Sequence, residues 1–479
     1  MDQLKNLIES IITRVNVNLH EFVDVGPHLR TIVSQENLSS FYAFYGLTPT
    51  HPLHFKFSES CLSGTYFLGK CEVTRSVLYK SDIRGDELKR KGDVVKFEDM
   101  ELKLYNDEFI AIRDSFLIKT LVHNKSHDPE NLEKFAIRNT VALHWANIHG
   151  APMDGCFLEP FATVDLTSAH NCAFGTHSYV QAGELSHTYV EPGRIWVKAE
   201  GAFEFDYKFP REILDKYVKY EPGKPPTGKM LDYVEERKAD FIPIYSSVTQ
   251  ETQLNVPGSA SLSPYAVVKG NCSVDENVLV CQRAYLEEAS LGQGANAQEN
   301  CYIVHSRLDG MNVTAHGGKI IHAHCGPNCF VGFNAFVHGT PENPVQVGKG
   351  CIIMPHTIID ADEPLEIPDG TLVWGFVGSK ADLERNSIAI SRLKEFSGET
   401  TFGDMSFSGS GKAFVDAFAH RIQHILEENG AYFESGDNGI GHAQQNNEMS
   451  FNIVQPYPDG PLKGLYPTVE ISPAHLDMF

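Results

Sequence analysis

Branched apolar residues recur at every sixth position through the middle of the chain: Leu262, Val268, Val274, Val280 and Leu286. Four places after each stands Ala266, Cys272, Val278, Ala284 and Ser290, small in all but one case. The register slips by one at Leu291-Gly292 and resumes at Ala297 and Ile303, with Ala295 and Cys301 in the small position. It returns at Val331 and Val337, and again at Val347, Ile353, Ile359 and Leu365. A period of six fits neither a helix, whose faces recur with a period of about 3.6, nor an ordinary strand, whose side chains simply alternate. It predicts a coil of short parallel strands that turns a corner after each hexapeptide and points one branched side chain inward.

Weaker versions of the pattern lie upstream. Leu62, Leu68, Val77 and Ile83 form an early piece that ends in the charged run from Arg84 to Asp93. Leu158 and Val164 stand six apart, as do Phe174 and Val180, and Pro192-Gly193 closes that piece. From Phe205 to Ile244 the period is lost; the segment is charged and proline-marked, and Leu231 to Lys238 favours a helix. Helical spacing appears at Leu4, Leu7, Ile8, Ile11, Ile12 and Val15, and again between Ala413 and Glu428. The expected organisation is an N-terminal helical segment (1–60), a first coil-like portion (61–200), an inserted, partly helical excursion (201–255), the principal coil (256–376), and C-terminal helices with a tail (377–479). A capping helix is expected between Lys380 and Phe396.

A net charge of −22, from 40 basic and 62 acidic side chains, argues against nucleic acid or an anionic membrane as partner, since both require a basic footprint. No apolar run approaches the roughly 18 residues needed to span a bilayer. The ten cysteines contain no CxxC pair, and Cys272, Cys301 and Cys351 occupy small positions of the repeat. They read as reduced space-fillers of a cytoplasmic protein.

The hexads, together with the closing run Ile367-Pro368-Asp369-Gly370-Thr371-Leu372-Val373-Trp374-Gly375, resemble the hexapeptide-repeat proteins. The resemblance implies a mainly β fold, a left-handed parallel β-helix, here with helical N-terminal, inserted and C-terminal segments. It also implies a homotrimer with small-molecule sites in the grooves between subunits. Within that superfamily, Arg283-Ala284-Tyr285, Leu291-Gly292, Asn296, Gln298-Glu299, His305, His316 and His322 look like the γ-class carbonic anhydrase branch. Carried over position by position, His305, His316 and His322 would be metal ligands, two from one subunit and one from the next. Gln298 and Glu299 would lie beside the metal-bound hydroxide, and Arg283 would make a structural ion pair. Zinc suits such a set, because three protein ligands leave one position for an activated water. Tyr285 stands where that branch has an Asp, His316 and His322 are six apart rather than five, and His324 competes with His322 for the third position.

An acyltransferase is the competing expectation: an acyl-CoA donor would lie along a groove, and one of the histidines between His305 and His338 would serve as general base without metal. A non-catalytic scaffold is the third. His144, His149, His170 and His177 could line a second groove, and Glu287-Glu288 reads as a solvated corner. Ser408-Gly409-Ser410-Gly411-Lys412 lacks the glycine and hydroxyl residue that a phosphate loop requires, and reads as a flexible lead-in to the Ala413 helix.

Overall fold

Each corner of a β-coil needs a residue that reverses the chain without breaking the ladder, and this chain supplies it with left-handed backbone. In the computed structural model, Glu288, His305 and His322 take φ of 47°, 47° and 46° at equivalent corners. Histidine, asparagine and aspartate tolerate that region better than most side chains. The structure describes residues 2–48, 54–97, 100–124, 134–245, 254–447 and 449–472. The fold is mainly β, and the chain divides into two compact units, each a three-sided parallel β-helix.

The first unit comprises 1–192, 219–227 and 449–479. One face stacks Ala43–Leu47, Tyr66–Leu68, Asp82–Arg84, Leu121–His123, Asn147–His149, Thr163–Asp165 and Tyr179–Gln181 in parallel. Tyr66 pairs with Asp82, Asn147 with Thr163 and Thr163 with Tyr179, so one full coil advances the sequence by 16. The buried column Ile148, Met153, Leu158, Val164, Ala169, Phe174 and Val180 steps by five, five and six. Two of the three corners are therefore one residue shorter than a strict hexad allows. That is why the six-residue interval shows once per coil, as at Leu158–Val164 and Phe174–Val180. It also corrects the early piece: the inward column runs through Phe67, Leu78 and Ile83, while Leu68 faces outward in line with Arg84.

The expected helical segment 1–60 is helical only as far as Leu38, and strands begin at Ala43. The helix Asp2–Leu19 buries Leu4, Ile11, Ile12, Val15 and Leu19. Two late strands close open edges of this unit: Ser450–Val454 pairs antiparallel with Ala43–Leu47, and Val469–Ile471 with Phe55–Ser58. The tail thus blunts edges that would otherwise offer unpaired backbone groups.

The second unit comprises 193–218 and 228–448. Val267 pairs with Tyr285 across a first coil of 18 residues; Tyr285, Tyr302, Lys319 and Phe336 then pair in succession, and Ser273 meets Ser290 across the next face, so these coils advance the sequence by 17. Its core follows Val274, Val280, Leu286, Leu291, Ala297, Ile303 and Leu308, then Ile320, Cys325, Val331 and Val337. The slip seen at Leu291 is a five-residue corner that recurs at Ile303–Leu308 and Ile320–Cys325. Ala289, not Ser290, fills the small position there, fully buried. The cysteines of this column are free and buried, as expected. From His338 to its ladder partner Asp360 the advance grows to 22, because 340–344 loops out of the rung.

The described helices of the excursion are Arg211–Tyr217, Lys229–Arg237 and the short Ile242–Tyr245, the last two joined by a 3-10 turn at Lys238–Phe241. The expected cap over Lys380–Phe396 is interrupted: a helix Lys380–Arg385, begun by a Ser379–Asp382 capping box, gives way to the strand Ser387–Ala389. That strand pairs antiparallel with Thr371–Val373 and seals the last rung. Ser408 to Ser410 is not a flexible lead-in but the end of the strand Met405–Ser410, and Ser410 N-caps the helix Gly411–Glu428. No helix among the described residues is long and apolar enough to cross a membrane.

Candidate functional site

Side chains one coil apart in the second unit stack on a shared corner, as Ser306 does beneath Ala323 at an interval of 17. His305 and His322 meet in this way, their rings parallel within 5° and 4.8 Å apart between centroids. Glu288 precedes them on the same corner. They line a cleft of about 500 Å³ with Ser290, Arg307, His324 and Gln346. The looped-out 340–344 segment forms its far wall through Thr340, Pro341 and Pro344.

The cleft is polar and its parts are braced. Ser306 is buried, donates to the Val304 carbonyl at 2.8 Å and accepts from the Ala323 amide at 3.0 Å, tying successive corners together. His324 is held on both sides, with Nε2 2.9 Å from an Asp309 carboxylate oxygen and Nδ1 3.1 Å from Gln346 Oε1. Arg307 Nε donates to the other Asp309 oxygen at 2.8 Å. Burial alone would raise the Asp309 carboxyl, but the bonds from Arg307 and His324 outweigh it and hold the group below its ordinary range. Burial lowers the His322 imidazole, and the neighbouring His305 and His338 rings lower it further. His322 is therefore neutral at pH 7, a base with a lone pair to offer.

Beside this corner lies a second braced histidine. Asp360 accepts from His338 Nδ1 at 2.7 Å, from the Tyr217 hydroxyl at 2.8 Å and from Lys229 Nζ at 2.6 Å. Burial pushes its carboxyl up, and these three donors together overcome that and bring it down to about 2.

The sequence-predicted residues fall on two different corners. Arg283, Gln298, Glu299 and His316 belong to the turns that precede Tyr285–Glu287, Tyr302–Val304 and Lys319–Ile321, whereas His305 and His322 belong to the turns that follow the last two. One three-residue face, roughly 10 Å wide, separates the two groups. His316 and Glu299 are both buried, with Nδ1 and Oε2 2.7 Å apart. Gln298 is also buried, and Arg283 is half-buried at a corner with φ 60°. One chain therefore brings together two of the three expected zinc ligands, His305 and His322, and leaves His316 a face-width away. Tyr285, in the place of the Asp expected by resemblance, donates its hydroxyl to Asp240 at 2.7 Å.

Arg307, Asp309, Gln346 and Asp360 gave no signal in the sequence, since nothing in a polar residue's immediate neighbours tells which corner it will share with others. The even spacing from Glu288 to His305 to His322, one coil at each step, was the available clue. Of the other histidines, His149 ends the strand Asn147–His149 and His170 the strand Thr167–His170 on a different face, while His144 and His177 sit in corner turns. They do not form one groove.

Comparison with known proteins places this geometry in context. Residues 100–222 match the family model described as hexapeptide repeat including loop. A crystal structure from Desulfovibrio desulfuricans G20, described as that of a candidate acetyltransferase, is 52% identical over 99% of this chain and all of its own, with a TM-score of 0.93. The bifunctional protein GlmU of Anaplasma marginale, from strains Florida and St. Maries, is 29% identical over 119 residues. That match takes in 23% of this chain and only 27% of the GlmU length.

Proposed function

Because the chain belongs to the hexapeptide-repeat superfamily, we propose that it is an acyltransferase that moves an acyl group from a CoA-type thioester to an amine or hydroxyl acceptor in the cleft at His305 and His322. The observation that carries this reading is the neutral, half-buried His322 in a polar cleft of a chain 52% identical, end to end, to a protein described as a candidate acetyltransferase.

In the proposed reaction, His322 takes the proton from the acceptor as the acceptor's lone pair attacks the thioester carbonyl carbon. The new carbon–nitrogen or carbon–oxygen bond forms, the carbon–sulfur bond breaks, and the departing thiolate takes up the proton that His322 holds, which returns the imidazole to its neutral form. General-base assistance of this kind contributes about 10²- to 10⁴-fold. Arg307, two-thirds exposed at the rim, offers a guanidinium to the phosphates of the donor, and Asp309 fixes its direction. His324, clamped by Asp309 and Gln346, is a positioning residue. A homotrimer would place a neighbouring copy along the groove and complete its wall.

The zinc-dependent hydratase reading keeps His305, His316 and His322 as ligands, but the relatives named above are described as a candidate acetyltransferase and as GlmU, and the ligands meet only if a second copy supplies one. The test of the acyltransferase reading is release of free CoA thiol from acetyl-CoA with a panel of amino and hydroxyl acceptors. Acceptor-dependent release that His322→Gln abolishes is expected. Release that is independent of every acceptor and unchanged in His322→Gln would refute the assignment.

A further inference from the structure

Two carboxylates stand at opposite ends of the histidine corner, and the acyl transfer proposed above uses neither. The corner residues follow the ladder partners Lys269, Glu287, Val304, Ile321 and His338, so the column reads Gly270, Glu288, His305, His322 and Gly339. Its terminal glycines make room for what lies beside them. A Cβ at Gly270 would stand 2.1 Å from Glu288 Oε1, so that carboxylate lies back over the glycine, on the side away from His305. A Cβ at Gly339 would stand 2.6 Å from the His322 carbonyl oxygen, and there the chain leaves the rung.

A tight turn follows. Gly339 N–H donates to the Ile321 carbonyl at 2.8 Å and Val345 N–H to the His322 carbonyl at 3.2 Å, which anchors both legs on the backbone of the His322 corner. Thr340 and Asn343 exchange backbone bonds at 3.0 and 3.1 Å, with Pro341 and Glu342 at the tip. The fixed φ of proline suits the first of those tip positions. Glu342 is thereby carried to the reactive histidine: burial and the His305 and His338 rings lower the His322 imidazole, and Glu342 opposes them.

The charge around the two rings is uneven. Asp309 is bonded by Arg307 and His324, and Arg237, a second guanidinium within electrostatic reach of His322, is paired with Glu287. Glu288 and Glu342 are exposed, and among the described residues no hydrogen bond or ion pair engages either carboxylate. A neutral base is thus flanked by two uncompensated negative charges. The Glu288 carboxylate, at the level of Gly270, lies three strand spacings from His322, roughly 14 Å.

We propose that this cleft takes a polyamine as its acceptor, with one cationic nitrogen held by Glu288 and the reacting nitrogen between Glu342 and His322. The proposal rests on the acyl-transfer reading for its chemistry and adds the acceptor class. A hydroxyl acceptor gains nothing from either carboxylate, and a monoamine reaches only one of them. The reacting nitrogen attacks as the free amine: its lone pair forms the carbon–nitrogen bond and one N–H proton passes to His322. The carbon–sulfur bond breaks, and the thiolate takes that proton. The distal nitrogen keeps its charge and acts only in binding.

Calorimetric titration of the full chain with spermidine, butylamine and butanediol, read beside thiol release from acetyl-CoA with the same probes, tests the assignment. Spermidine should bind about 5-fold more tightly than butylamine, the worth of one exposed ion pair of about 1 kcal/mol, and added salt should shrink that preference. Glu288→Gln should erase the preference, and Glu342→Gln should weaken both amines by about 5-fold. Both residues are exposed, so neither substitution empties the core. Spermidine binding with this dependence, but no thiol release with any probe, would end the acyl-transfer reading and uphold the polyamine site. Equal binding of spermidine and butylamine, spermidine binding unchanged in both variants, or thiol release that prefers butanediol would overturn the proposal. In each of those cases the acyl-transfer reading is judged separately, by His322→Gln.

Discussion

Asp360 offers a stability prediction whose size can be worked from its surroundings. It sits beside His338 in the ladder, 13% exposed, with three donors on its two oxygens. Moving an aspartate from its ordinary value near 3.9 to about 2 is worth about 2.5 kcal/mol, at 1.36 kcal/mol for each tenfold change in proton affinity. The folded-state value is depressed, so this stability is complete above pH 4 to 5 and is lost as the pH falls toward 2. At pH 3 about half of it should remain. Asp360→Asn keeps the shape but discards the charge, and should cost about 2 kcal/mol at pH 7 and about half that at pH 3. Urea unfolding of both proteins at the two pH values measures the difference, with midpoints compared at unchanged slope. A loss below about 0.5 kcal/mol at pH 7, or one equal at both pH values, would refute the claim that the charged carboxylate holds this corner together.

Three further outcomes follow from the cleft and the core. His322→Gln should lower kcat by about 100-fold or more with little change in KM for the acyl donor, measured by steady-state release of CoA. Because burial and its neighbours lower His322, the wild-type rate should fall only on the acid side, through a midpoint below 6.5; a pH–rate profile with a midpoint above 7 would exclude His322 as the base. Ile303→Ala, which empties a fully buried position in the inward column, should destabilise the protein by about 2 to 5 kcal/mol in chemical denaturation, whereas Gln346→Ala at the exposed cleft wall should cost less than about 1 kcal/mol.

The hexad at Leu262 to Leu286 was enough to read a three-sided coil, because an inward side chain recurs once per face whatever else the sequence does. The first unit was read only in fragments. Its five-residue corners break the six-residue register twice in every coil, and long stretches intervene between Arg84 and Leu121. The edge strands Ser450–Val454 and Val469–Ile471 carry no period at all, since an antiparallel edge pairs through backbone rather than through an inward column. Among the site residues, a resemblance read along the chain grouped His305, His316 and His322. The fold groups residues by corner, so His305 joins His322 at a distance of one coil while His316 joins Glu299 on the next corner. Asp360 lies further from His338 along the chain than one ordinary coil, an interval that makes sense only once 340–344 is seen to loop out of its rung.

Hydrogen exchange of the full chain with and without acetyl-CoA tests the assignment of this corner most directly. Slowed exchange is predicted in peptides spanning 304–309, 321–325 and 340–346, with the effect lost in Arg307→Ala. Protection confined to other parts of the chain, or none at millimolar acetyl-CoA, would contradict the account.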